Sequence, residues 1–100
     1  NSPAAQLDVR PVSSSTIGQI VRLASGQTAN ALNVENSTGT LLSGVLASGA
    51  FYSAGIAFAS LGTPSNGTFV YCSDCTIASP CASGGTGALA KRLNGAWVCN

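Results

Sequence analysis

Apolar and polar residues alternate over short runs along the chain, and a period of two residues is typical of a β-strand rather than a helix. The clearest run is residues 32–35, Leu-Asn-Val-Glu, in which every second side chain is apolar. A turn at residues 36–39 follows, with glycine as its last member, and a second apolar run comes after it. We therefore predict a hairpin over residues 31–46, with Leu32 and Val34 facing the interior.

Weaker alternation predicts three further strands before residue 62. They are residues 4–12, 17–23 and 50–59. Pro11 lacks a backbone N–H, so the first of them is expected at a sheet edge or to end there. Small residues surround Gly55, which is a candidate bulge where one strand packs closely against another backbone. A helix over residues 47–60 is disfavoured, because each of its glycines costs about 1 kcal/mol in a helix.

The C-terminal third carries the strongest local signal. Asn94-Gly95 separates the apolar-rich runs 88–93 and 96–99, and a type I′ hairpin turn needs two such residues that tolerate positive φ. Turn residues elsewhere recur roughly every 8–12 residues, as in all-β chains. We therefore predict an all-β fold of short strands and hairpins, divided into a β region, residues 1–62, and a C-terminal β-hairpin module, residues 63–100.

The only four cysteines of the chain all lie in the C-terminal module. They are Cys72, Cys75, Cys81 and Cys99, spaced C-x2-C-x5-C-x17-C. A zinc site usually shows two short knuckles or Cys/His pairs, whereas this chain has one C-x-x-C and no histidine. We therefore expect two disulfides, which indicate an oxidising compartment, and no metal or other cofactor.

Strand geometry predicts how these cysteines pair. In an extended strand, Cys72 and Cys75 would lie about 10 Å apart, beyond the ~7 Å that a disulfide tolerates between Cα atoms. The expected pairs are Cys72–Cys99 and Cys75–Cys81, and the second choice is Cys72–Cys81 with Cys75–Cys99.

Composition limits the function. Charged residues make up 7% of the chain, and the net charge is +1. The sequence also has no cluster of several Lys or Arg residues, which binding to nucleic-acid phosphates requires. No apolar run reaches the ~18 residues of a membrane span. Hydrophobic residues are 45% of the chain, so we expect much of the surface to be buried against other copies of it.

No arrangement typical of catalysis is present. Nucleophilic catalysis needs a base such as histidine, and the carboxylates Asp8, Glu35 and Asp74 lie on different predicted elements. Cys72-x-x-Cys75 follows a strand, whereas redox pairs of this spacing lie at a helix N-terminus. The glycine-rich residues 84–87 lack the lysine of a phosphate-binding loop. We expect a non-enzymatic protein.

Two groups of residues are candidates for contact or modification. Asn36 and Asn66 begin N-x-[ST] sequons in predicted turns and are candidate glycosylation sites. Tyr52, Tyr71 and Trp97 are candidates for a sugar-stacking surface, although six aromatic residues in a small β protein more often serve packing.

Several small-residue motifs are shared with a known class of protein. They are Gln27-Thr28-Ala29-Asn30, then Val34-Glu35-Asn36-Ser37-Thr38-Gly39-Thr40, then Ala47-Ser48-Gly49, and finally Gly84-Gly85-Thr86-Gly87 with Asn94-Gly95-Ala96-Trp97. Together with the opening residues 3–9, they resemble the repeat units and tips of phage tail fibres and bacterial surface fibres. This chain lacks the His-x-His by which some fibre tips bind metal.

The resemblance implies a slender, extracellular β fibre, on a virion or cell surface or secreted, whose partners are other copies of the chain, as a homotrimer or helical filament. The leading hypothesis is a structural subunit that self-assembles through intersubunit β pairing and apolar burial. The second is a receptor- or glycan-binding tip, an adhesin, and the third is a small disulfide-stapled enzyme or inhibitor.

The chain is also predicted to have no stable folded monomer. Its apolar residues are spread over many short strands, and a two-stranded hairpin alone is marginal. Charged residues that usually protect edge strands are scarce. Residues 4–12 are the best candidate for crossing to a neighbouring copy.

Overall fold

The computed structural model describes residues 5–100 and has an all-β fold of two small three-stranded antiparallel sheets. The strands are β1 Leu32–Glu35, β2 Leu41–Val45, β3 Phe51–Ser53, β4 Phe69–Cys72, β5 Ala88–Leu93 and β6 Ala96–Cys99. Residues 1–4, which begin the predicted region 1–62 and include the first residue of the predicted strand 4–12, lie outside the described residues.

The first sheet has the order β1-β2-β3 and contains the predicted hairpin over residues 31–46. The side-chain oxygen of Asn36 closes the turn by accepting hydrogen bonds from the backbone N–H groups of Thr38 and Thr40, both at 3.0 Å. Gly39 has φ 85°, a conformation that glycine adopts without steric cost. The side-chain preferences of Asn and Gly thus define this turn locally, and the hairpin prediction is confirmed.

The third strand of this sheet is shorter than predicted. Only Phe51–Ser53 pairs with β2, whereas the alternation predicted a strand through residue 59. Gly55 has φ 107° and turns the chain out of the sheet, so that Ile56 forms a parallel bridge with Cys72 of β4. A single turn of 3₁₀ helix, Phe58–Ser60, follows. Gly55 is therefore an exit from the sheet rather than a bulge within a long strand.

The second sheet has the order β4-β5-β6, and β5 and β6 form the hairpin that Asn94-Gly95 predicts. Both turn residues have positive φ, 52° for Asn94 and 77° for Gly95, as a type I′ turn requires. The preceding segment packs onto this hairpin. The amide N–H of Gly95 donates to the side-chain oxygen of Asn66 at 2.8 Å, and the indole Nε1–H of Trp97 donates to the carbonyl of Gly62 at 2.8 Å.

The strands predicted at residues 4–12 and 17–23 are not formed by the described residues. Residues 5–31 contain bends and turns but no strand, and every residue from 5 to 22 is exposed. The apolar alternation in these segments gives a preferred face, but a strand also needs a partner for its backbone N–H and C=O groups. No other segment in the described part of the chain supplies one.

The hydrophobic core lies entirely on one side of the second sheet. Its buried members are Leu61, Cys72, Cys75, Cys81, Ala88, Ala90 and Cys99, with Phe58, Val70 and Trp97 packed against them. Four of the seven buried residues are thus cysteines. In the first sheet, by contrast, no residue is buried.

Candidate functional site

The second sheet has two apolar faces, of which only one is covered. Residues paired across the strands share a face, so Cys72, Ala88, Ala90 and Cys99 belong to the core side. On the opposite side, Tyr71 pairs with Leu89, and Phe69 pairs with Lys91. Val98 on this outward face is partly buried, and four other large apolar side chains of the face are at least 40% exposed: Phe69, Tyr71, Leu89 and Leu93.

The outward face of the second sheet and the side chains of the first sheet line an open groove of about 850 Å³, which we name the apolar groove. Its principal apolar residues are Leu32, Val34, Val45, Phe51, Phe69 and Leu89. The two sheets therefore resemble the halves of a sandwich whose interior is left unfilled by the described residues.

The side chains of the apolar groove are more exposed than the alternation predicts. Leu32 and Val34 share one face of β1, as predicted, but 51% and 49% of their surface remains accessible. Phe51 is 84% exposed and Phe69 is 63% exposed. A sheet face can bury its apolar side chains only against another layer, and the described residues of one chain do not provide that layer.

Other segments of the chain cover both edges of the second sheet. Ile56 exchanges two backbone hydrogen bonds with the outer edge of β4, through the carbonyl of Tyr71 and the N–H of Ser73, at 2.9 and 3.0 Å. Along the outer edge of β6, Ala78 exchanges two bonds with Cys99, at 3.1 and 2.9 Å. This sheet therefore offers few unpaired backbone groups to another chain.

The first sheet has uncovered edges. Among residues 5–100, no backbone–backbone hydrogen bond joins the outer side of β1 or of β3 to another segment, and β3 contacts β4 through the Oγ of Ser53, which accepts a hydrogen bond from the amide of Tyr71 at 3.2 Å. An open edge presents a row of N–H and C=O groups that can pair with an added strand. The uncovered edges and the apolar groove lie in the same half of the molecule.

Both predicted disulfide pairings are wrong. The four cysteines are all bonded, as expected, but the pairs are Cys72–Cys75 and Cys81–Cys99. The error came from assuming that the strand continues past Cys72. Instead β4 ends there and the chain turns at Ser73-Asp74, which brings the Cα atoms of Cys72 and Cys75 to 5.5 Å.

The three candidate ligand-contacting aromatic residues do not form one surface. Trp97 lies on the core side of the second sheet. The guanidinium carbon of Arg92 lies over its ring, 5.9 Å from the ring centroid. Tyr71 lies on the opposite face, because it alternates with Cys72. Tyr52 belongs to the first sheet, paired with Gly44.

The Oδ1 atoms of both sequon asparagines accept hydrogen bonds from residues in turns. In Asn36 this oxygen accepts three hydrogen bonds from Thr38 and Thr40, and in Asn66 it accepts one from the Gly95 amide. Both residues are exposed, and glycosylation at either remains a prediction.

The three carboxylates lie on separate segments. Asp8 is in the N-terminal region, where it pairs with Arg10 at 3.0 Å and raises the pKa of that guanidinium. Glu35 ends β1. The carboxylate of Asp74, in the turn after β4, accepts a hydrogen bond from the amide of Phe58 at 2.7 Å. The Glu35 carboxylate accepts a hydrogen bond from the side-chain amide of Asn33 at 3.2 Å, so each of the three carboxylates contacts a group other than a second carboxylate.

Among residues 5–100 the only helical segment is three residues long, and no helix has the length and hydropathy that a bilayer crossing requires. The chain matches no protein-family model, and neither a curated protein nor a solved structure is significantly similar to it.

Proposed function

We propose that this protein is a non-enzymatic structural subunit of an extracellular fibre or filament, which assembles through apolar burial and β pairing between copies. The observation that carries the proposal is the apolar groove beside the uncovered edges of the first sheet. The two disulfides are consistent with an extracellular protein. The resemblance to tail-fibre and surface-fibre repeats implies the same architecture.

Burial of the apolar groove against another copy would favour association. Fully burying one Leu, Val or Phe side chain contributes about 1.5–3 kcal/mol. Nine such side chains line the groove, and Leu32, Val34, Phe51 and Phe69 are among those that are about half exposed or more. Contiguous apolar surface of this kind on a chain with 7% charged residues marks an interaction site.

A second copy is the occupant that fits this surface best. The groove lacks a concentrated charge, so its partner must be equally apolar and equally poor in charge. The chain itself meets this description, since residues 5–22 carry exposed Leu7, Val9, Ile17, Ile20 and Val21 without forming a strand. In an assembly, such a segment adds to an uncovered edge of the first sheet in the neighbouring copy and extends that sheet.

The proposal predicts that Phe51→Asp disrupts assembly, whereas Ile77→Asp does not. Both side chains are highly exposed in the single chain, at 84% and 74%, so neither substitution removes intrachain packing. Only Phe51 lines the apolar groove. Sedimentation velocity should show large species for the wild type and for Ile77→Asp, and smaller species for Phe51→Asp. Equal sedimentation of the wild type and Phe51→Asp would rule out the groove as the assembly surface.

Glycan binding is not favoured by any contact in the described residues. Tyr71 and Trp97 lie on opposite faces of the second sheet, so one sugar cannot stack on both. The adhesin alternative therefore stays a prediction of the sequence, without a site to support it.

A further inference from the structure

The fold brings the two Asn-Gly steps of the chain together at one end of the second sheet. They are Asn66-Gly67, in the turn before β4, and Asn94-Gly95, in the turn between β5 and β6. The amide N–H of Gly95 donates to the side-chain oxygen of Asn66 at 2.8 Å. All four residues are exposed, so solvent water reaches both steps.

An Asn-Gly step is prone to spontaneous deamidation, because glycine has no side chain to hinder the reaction. The backbone N–H of the glycine gives up its proton, and the nitrogen attacks Cγ of the asparagine. A C–N bond forms, the side-chain NH₂ takes up a proton and leaves as ammonia, and a succinimide ring results. Water then opens the ring, so that aspartate or isoaspartate replaces the asparagine without any oxidation or reduction.

The Asn66-Gly67 step is protected by backbone pairing. The reaction requires a free glycine nitrogen, so a hydrogen bond donated by the glycine N–H opposes it. The N–H of Gly67 donates to the carbonyl of Arg92, and the N–H of Arg92 donates to the carbonyl of Thr68, both at 2.7 Å. These two bonds continue the pairing of β4 with β5, so the Gly67 nitrogen becomes free only when the ends of the two strands separate.

At the Asn94-Gly95 step the acceptor is a side chain rather than a strand. The Gly95 nitrogen becomes free when the exposed carboxamide of Asn66 rotates away, and no strands need to separate. We propose that Asn94 is a deamidation site of the folded chain and that Asn66 slows its modification by holding the Gly95 amide. The modification changes the net charge of the chain from +1 to zero. This inference goes beyond the proposed assembly and does not depend on it.

Two substitutions of Asn66 test the proposal on the oxidised chain incubated at neutral pH. Asn66→Ala removes the acceptor and should speed deamidation at Asn94 about fivefold, the factor that corresponds to a lost hydrogen bond of about 1 kcal/mol. Asn66→Asp is the matched control, because its carboxylate still accepts from the Gly95 amide, and its Asn94 should react as slowly as in the wild type. Peptide mass spectrometry measures the conversion of Asn94 over time.

The wild type provides a second comparison, because its Asn94 should be converted faster than its Asn66. In denaturant the three chains should lose the amide of Asn94 at the same rate, since the restraint belongs to the fold. The proposal is wrong if Asn66→Ala reacts at Asn94 no faster than the wild type, or if Asn66→Asp reacts as fast as Asn66→Ala. A faster reaction of Asn66→Ala that accompanies loss of its β-sheet circular dichroism would also contradict it, because unfolding would then be the cause.

Discussion

At the scale of single residues, three glycines allow close contacts that a side chain at the same position would block. The ring of Tyr71 lies across Gly55 and Gly87, both at positive φ, and a Cβ atom on Gly87 would overlap the tyrosine hydroxyl. Gly44 in β2 similarly leaves no room for a side chain beside the carbonyl of Leu32. These close approaches depend on the tertiary arrangement, so the sequence alone could not predict them.

Gly95 is expected to be the most sensitive position of the C-terminal turn. A β-branched residue at its φ of 77° is strongly disfavoured, so Gly95→Val should lower the free energy of unfolding by more than about 1 kcal/mol. The matched control is Ala96→Val, one residue later, on an exposed strand position where valine is well tolerated. Chemical denaturation measures both. Equal stability of the two variants would show that Gly95 does not require positive φ.

Trp97 is expected to stabilise the molecule through its indole N–H as well as its size. Trp97→Phe removes the hydrogen bond to the Gly62 carbonyl and weakens the contact with Arg92, which should cost about 1–3 kcal/mol of unfolding free energy. Tyr52→Phe serves as the control, because it also removes one polar group from an aromatic ring, and Tyr52 is 42% exposed. A Trp97→Phe variant as stable as this control would contradict the role assigned to the indole N–H.

At the scale of the elements, local turn chemistry determined which predictions succeeded. The two hairpins are correct because Asn36 to Gly39 and Asn94-Gly95 define their turns without help from distant residues. The strands predicted at 4–12 and 17–23 do not form among the described residues of the single chain, because a strand requires a partner and apolar alternation carries no information about one. The residues of the apolar groove follow from the alternation, but their exposure depends on a missing second layer.

Peptide mapping can establish how the four cysteines pair. The unreduced chain is cleaved before Asp74 and after Lys91 or Arg92. The first fragment then contains Cys72, the middle fragment contains Cys75 and Cys81, and the last contains Cys99. The pairs Cys72–Cys75 and Cys81–Cys99 should hold these three fragments in one species. Pairing of Cys72 with Cys99 would instead release the middle fragment. Tandem mass spectrometry distinguishes the remaining pairing, Cys72–Cys81 with Cys75–Cys99.

The two disulfides should differ in what they contribute to stability. Cys81–Cys99 spans 18 residues and Cys72–Cys75 spans three, so loop-closure entropy gives about 3.2 and about 1.6 kcal/mol respectively. Replacing both members of the longer pair by alanine should therefore destabilise the chain more than replacing the shorter pair. Both pairs are buried, so the loss of sulfur packing affects them similarly.

At the scale of the whole molecule, one chain is too expanded for a folded domain of its length. Its radius of gyration is 17.1 Å, whereas a compact domain of 100 residues has about 13 Å. The excess is consistent with a small core confined to the second sheet, an unfilled groove and an N-terminal segment without a partner. An assembly of several copies would supply the layer that a single chain lacks.

The most direct test of self-assembly is the mass of the oxidised wild-type chain, measured by multi-angle light scattering over a dilution series down to micromolar concentration. An obligate assembly should keep a mass that is a multiple of 9.9 kDa on dilution and should dissociate only as the strands unfold. Circular dichroism on the same samples monitors the fold. A folded, monodisperse species of 9.9 kDa at micromolar concentration would contradict the fibre subunit proposed above.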